Sequence, residues 1–69
     1  MQEIRIDTDY IKLDQFLKLV NLVESGGQAK FLIKNGEVQV NEDIAYERGK
    51  KIKKGDTVTV GSNNIYIVI

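Results

Sequence analysis

Apolar residues recur along this chain at two spacings, and the spacing changes with position. Near the start, Ile4 and Ile6 alternate with Glu3, Arg5 and Asp7, the period of two that marks a short strand with one buried face. Leu13, Phe16, Leu17 and Val20 then fall at i, i+3, i+4 and i+7, which predicts an amphipathic helix over residues 12–20. Asp9 is one candidate cap for it. The alternative is a start near Leu13, with Asp14 in the first turn, where a carboxylate suits the helix dipole. Residues 21–24 form a connection in which Leu22 and Val23 are buried. Ala29, Leu32 and Ile33 supply a second helical stripe, which Phe31 widens.

Local punctuation frames that second helix. Ser25 is an N-cap and Gln28 completes an S-x-x-Q capping box, while Gly36 stands where a left-handed residue ends a helix. Val38 and Val40 then alternate with Glu37 and Gln39 as a strand, residues 41–43 turn tightly, and Ile44 resumes an extended path. Residues 47–51 read as a charged loop and Lys54-Gly55-Asp56 as a turn. Strands follow at residues 57–60 and 65–69, separated by a turn at residues 61–64. The order β-α-α-β-β-loop-β-β predicts one two-layer α+β domain, with two helices covering one face of a small, mostly antiparallel sheet.

Composition narrows the chemistry. With no cysteine and no histidine among 69 residues, the chain lacks thiolate nucleophiles, disulfides, and the commonest metal ligand and general base. No nucleophile–base pair, metal-ligand cluster or GxxxxGK[ST] phosphate loop is present, so neither catalysis nor a cofactor is expected. No apolar run is long enough to span a bilayer, and residues 1–10 lack a signal-peptide pattern; a cytoplasmic location is the expectation. A chain this short buries only about 60% of its unfolded surface, so its stability is modest.

The formal net charge is zero, which by itself argues against a nucleic-acid partner. The distribution alters that reading. Residues 1–27 carry three basic and five acidic side chains, residues 28–56 seven and five, and residues 57–69 none. The stretch Arg48-Gly-Lys-Lys-Ile-Lys-Lys54 alone carries five positive charges and no negative one. A neutral total thus conceals one positive face.

The helix start is the second anionic-ligand feature. First-turn N–H groups lack partners and sit at the positive end of the helix dipole. Gly26 and Gly27 lower helix propensity there, and two explanations are open: room for a phosphate, or close approach of the first helix. Lys30 and Lys34, four apart, share one face and would extend a phosphate track below that start. Gly36, Asn41, Gly55 and Asp56 are assigned to backbone geometry. Phe16 and Phe31 lie on the apolar stripes and are read as core; Tyr10, Tyr46 and Tyr66 are left unassigned, and Tyr46, beside the basic loop, is able to stack on an exposed base. So few exposed aromatics favour recognition of phosphates and shape.

Leu13-Asp-Gln-Phe-Leu17, Ser25-Gly-Gly-Gln-Ala29, Ile33-x-x-Gly36-x-Val38-x-Val40-Asn41 and Gly55-Asp56, in that order, resemble the S-four-type RNA-binding domain. The likeness covers about residues 12–58, with an N-terminal strand and a C-terminal hairpin added. The SGGQAK core and the chain length are similar to the small bacterial single-domain members called YaaA or YbcJ. The resemblance implies an αL motif, two helices on a sheet in an L shape, with RNA along the second helix's start and the basic loop. It places Ser25, Gly26, Gly27 and Gln28 at the helix start and Lys30 one turn in. Lys12 falls where the family often has Arg, and Arg48, Lys50 and Lys51 match the narrower group's basic loop. The chain departs from the family at Gln15, where many members carry Lys or Arg, at Gln28, where many carry Glu, and at Glu42, in place of a glycine. The departures at Gln15 and Glu42 lower the RNA affinity implied.

The residues and the resemblance together give an expected function: non-catalytic binding of structured RNA, ribosomal or transfer RNA or a ribosomal particle, in ribosome assembly or translation. Lys12, Ser25, Gly26, Gly27, Gln28, Lys30, Lys34, Arg48, Lys50 and Lys51 form the expected site, with no metal, small-molecule substrate or membrane involved. The alternative is a protein-interaction adaptor that uses an exposed terminal strand.

Overall fold

Leu13, Phe16 and Leu17 are buried on one side of helix α1 (Leu13–Leu19), and Ala29 and Ile33 on one side of helix α2 (Gly26–Lys34), as their spacings of three and four dictate. The computed structural model describes residues 1–69. Its strands are β1 (Gln2–Ile4), β2 (Tyr10–Lys12), β3 (Val38–Val40), β4 (Asp43–Ile44), β5 (Lys51–Lys53), β6 (Thr57–Val60) and β7 (Asn64–Val68). Five strands form a sheet in the order β1-β7-β6-β3-β4, and β2 and β5 form a separate two-stranded ribbon. All pairings are antiparallel except β1 with β7. Val38, Val40, Val58, Val60, Tyr66 and Val68 point inward at alternate strand positions and join the helices' apolar faces in one buried cluster. The Phe16 and Tyr66 rings meet edge to face, 5.8 Å apart, across the two layers. The α+β class, with two helices on a mostly antiparallel sheet, is as expected.

Both helices end in a Schellman motif. For α2, the Gly36 N–H donates to the Ile33 carbonyl and the Glu37 N–H to that of Leu32, with Gly36 at φ 73°. For α1, Asn21 takes the glycine's role at φ 63°: its N–H donates to Lys18 and that of Leu22 to Leu17. At the start of α2, Ser25 Oγ accepts from the Gln28 N–H at 3.3 Å. The return bond differs from a standard capping box. Gln28 Oε1 accepts from the Glu24 N–H at 2.6 Å, one residue before the cap.

Three expectations change. Residues 10–12 are a strand, so α1 begins at Leu13 and Asp9 does not cap it; Asp14 lies in the first turn. The expected charged loop gives way to strand β5 at Lys51, because Ile52, fully buried, alternates with two exposed lysines. Its partner β2 shows the same alternation around Ile11, and Ile11 pairs with Ile52. Finally, the terminal strand β7 is flanked on both sides by β1 and β6, so the sheet edges are β1 and β4. Of the two terminal strands, the C-terminal one is therefore closed to an added partner and the N-terminal one, β1, is a free edge.

Candidate nucleic-acid interface

Helix α1 has no side-chain cap; Lys12 occupies its N-cap position. The basic segment satisfies its first donors instead. The Leu13 N–H donates to the Lys50 carbonyl at 2.8 Å and the Asp14 N–H to the Arg48 carbonyl at 3.0 Å. The backbone of the positive stretch is therefore pinned against α1. On its other side, the Ala45 N–H donates to the Val38 carbonyl at 2.9 Å, and Ala45 is buried. Tyr46 and Glu47 lie between these anchors.

This arrangement carries Arg48 to α2. Lys30, Lys34, Tyr46 and Arg48 line one depression, floored by Ile33, and no carboxylate lines it. Lys50, Lys51 and Lys53 line a neighbouring hollow that Tyr46 also borders, and there Asp43, Glu47 and Asp56 offset their charge. Tyr46 is 69% exposed and lines both.

Ser25, Gly27 and Gln28 line a different groove, with Leu22, Val23, Phe31 and Leu32. The basic segment thus meets the body of α2 through Arg48, while the helix start has its own, more apolar surroundings. The Gln28 N–H is taken by Ser25, which leaves Gly26 and Gly27 as the first-turn donors without an intrahelical acceptor. Of the two explanations for these glycines, crowding by α1 fails. A Cβ at Gly26 meets nothing within 4 Å, and one at Gly27 meets only Ser25 Oγ at 3.8 Å.

Lys12 ends β2 directly opposite Lys51 of β5, and Tyr10 opposite Lys53. These four residues share the exposed face of the ribbon, since Ile11 and Ile52 take the other. Lys51 Nζ sits 4.9 Å from the centroid of the Tyr10 ring. Lys53, outside the expected site, shares this face with Lys12 and Lys51, and its alternation with Ile52 is the sequence signal for that. Phe31 was misplaced as core, and it is 66% exposed. At about 100° per residue it lies about 200° from both Ala29 and Ile33, so it faces away from the residues that anchor the helix.

The family model described as "S4 domain" matches residues 4–68. The chain belongs to the S4 domain family. Among its relatives in that family, the chain is 46% identical over 57 residues to "Probable ribosome maturation protein RlbA" of Bacillus subtilis, covering 83% of this chain and 80% of that one. It is 34% identical over 59 residues to "Putative RNA-binding protein YbcJ" of Escherichia coli, covering 86% and 84%. The S4 fold is shared with a trimeric structure of Vibrio cholerae heat shock protein 15, at TM-score 0.68 and 19% identity. That match covers 81% of this chain and 57% of the heat shock protein. No helix of this S4 domain is long and apolar enough to cross a membrane.

Proposed function

We propose that this S4 domain is a non-catalytic, cytoplasmic RNA-binding protein whose ligand is structured RNA, ribosomal or transfer RNA, met during ribosome assembly or translation. The observation that carries this reading is the depression of Lys30, Lys34 and Arg48, two cations of α2 joined by one from the distant basic segment without a carboxylate. Clustered Lys and Arg neutralise phosphates and release counterions, the sequence-independent part of RNA affinity. Lys12, Lys50 and Lys51 extend the charge over the ribbon and hollow beside it. Ser25 and Gln28 hold the start of α2 in place, and Gly26 and Gly27 offer open N–H donors to a phosphate. Family membership and the names of the two relatives support RNA as the partner and ribosome maturation as the setting.

Titration with structured RNA at several salt concentrations tests the proposal. Affinity should fall steeply with salt, with a log–log slope of about 0.7–0.9 per phosphate contacted. Arg48→Ala combined with Lys50→Ala should weaken binding and lower that slope by about two. An unchanged affinity and slope in the double variant would remove the basic segment from the site.

A protein-contact reading has one observation of its own. Phe31 is exposed beside Leu22, Val23 and Leu32 in a groove of mixed polarity at the start of α2. It prevails if no RNA binds at low salt while a protein partner co-purifies and is lost on Phe31→Ser.

A further inference from the structure

Tyr46 projects a large aromatic ring into solvent from a segment whose backbone is fixed on both sides. Ala45, immediately before it, is buried and bonded to β3 through the Val38 carbonyl at 2.9 Å. Arg48 and Lys50, just after it, are bonded through their carbonyls to the start of α1. Within the segment, the Lys50 N–H donates to the Glu47 carbonyl at 3.2 Å and closes a turn. A mobile loop loses entropy on ordering around a ligand; a segment whose backbone is held this way loses less. The depression that Tyr46 lines with Lys30, Ile33, Lys34 and Arg48 holds cations and no carboxylate. The hollow that Tyr46 also lines holds Lys50, Lys51 and Lys53 together with Asp43, Glu47 and Asp56. The Asp56 carboxylate is already engaged by the Asn41 amide at 2.9 Å and the Lys53 N–H at 2.8 Å.

Resting on the RNA-binding reading above, we infer that Tyr46 is a stacking platform for one unpaired nucleotide, so that the RNA recognised is folded but carries a looped or bulged base at this point. The chemistry of a nucleotide fits the asymmetry of the site. The phosphate goes to the depression with cations alone. The base lies on the exposed ring, and its edge, which bears donors and acceptors, faces the hollow of mixed lysines and carboxylates. A base locked in a duplex has no free face to offer, and A-form helices are read through backbone and shape instead. The exposed ring therefore separates two classes of RNA that the surrounding cations alone treat alike.

The test compares two RNAs, a blunt fully paired duplex and the same duplex with an unpaired internal loop. Wild-type protein should bind the looped RNA at least about fivefold more tightly. Tyr46→Ala should abolish that preference and leave affinity for the paired duplex as it was. Its salt slope on the looped RNA should match the wild type, because no phosphate contact is lost. Tyr46→Phe should keep the preference, since the ring is retained. Because the side chain is exposed, the thermal midpoint of each variant should equal the wild type, which excludes misfolding as the cause. Equal wild-type binding to both RNAs overturns the inference while leaving RNA binding intact. So does a Tyr46→Ala loss that is the same on both RNAs. Wild-type binding to neither RNA overturns the RNA reading itself, and this inference with it.

Discussion

The Asn41 side chain and the Asp56 carboxylate, fifteen residues apart, hydrogen-bond at 2.9 Å and lock two turns together. Asn41 Oδ1 also accepts from the Thr57 N–H at 2.9 Å, and the Asn41 N–H donates to the Thr57 carbonyl at 2.8 Å. Asp56 in turn accepts from the Lys53 N–H at 2.8 Å. The pair joins the β3–β4 hairpin to the end of β5 and so sets where the lysines of the ribbon lie relative to the sheet. Asn41→Ala should destabilise the fold by about 1–2 kcal/mol, through lost charge-assisted bonding and a non-glycine, non-asparagine residue at φ 52°. Asp56→Ala should cost a similar amount, and the double variant less than the two combined by about 0.5 kcal/mol or more. Urea denaturation of the four proteins measures this; strict additivity would show that the two side chains act independently.

Glu42 follows Asn41 at φ 82° in a two-residue hairpin turn, a conformation that suits glycine. Glu42→Gly should raise stability by about 0.5–1 kcal/mol by removing that strain. For a domain of this size that is a rise of roughly 2–8 °C in thermal midpoint, read by circular dichroism. A fall in midpoint would contradict the left-handed assignment.

Gly26 has an ordinary helical position with open space where a Cβ would be. Gly26→Ala should therefore stabilise the protein, by about 0.4–1 kcal/mol. If the first-turn N–H groups approach a phosphate, the same variant weakens RNA binding. Stability and affinity measured on one preparation should move in opposite directions, and an affinity that rises with stability would remove α2's start from the interface.

Lys12 and Lys51 face each other across the β2–β5 ribbon, and like charges directly opposite are unfavourable. Lys12→Glu should replace repulsion by attraction and add roughly 0.2–1 kcal/mol at low salt. It should also weaken RNA binding and lower the salt slope by about one. The stability gain should fade as salt rises, because both side chains are exposed. A variant that loses stability would indicate that the two lysines serve the fold.

Where the physical signal was local, sequence reading gave the right element. Leu13, Phe16 and Leu17 placed α1, and Ser25, Gln28 and Gly36 bounded α2, because helix periodicity and caps act within a few residues. The ribbon was not legible. Tyr10-Ile11-Lys12 and Lys51-Ile52-Lys53 are each too short to show a period, and each becomes a strand only beside the other, about forty residues away in the chain. Which strands form the sheet edges was hidden for the same reason, since neighbours in a sheet are chosen by pairing across the whole chain.

What the sequence by itself determined is the α+β class, both helices with the caps of α2, and the presence of a positive stretch in a chain of zero net charge. Only the tertiary structure decided which cations share a surface. It set Lys30 and Lys34 against Arg48, opposed Lys12 to Lys51, brought in Lys53, and left the start of α2 in a groove of its own. It also separated two phenylalanines that sequence treated alike, burying Phe16 against Tyr66 and exposing Phe31. The reason is range. Backbone hydrogen bonding and side-chain periodicity are fixed by near neighbours, whereas a binding surface is assembled by the pairings and packing that join distant segments.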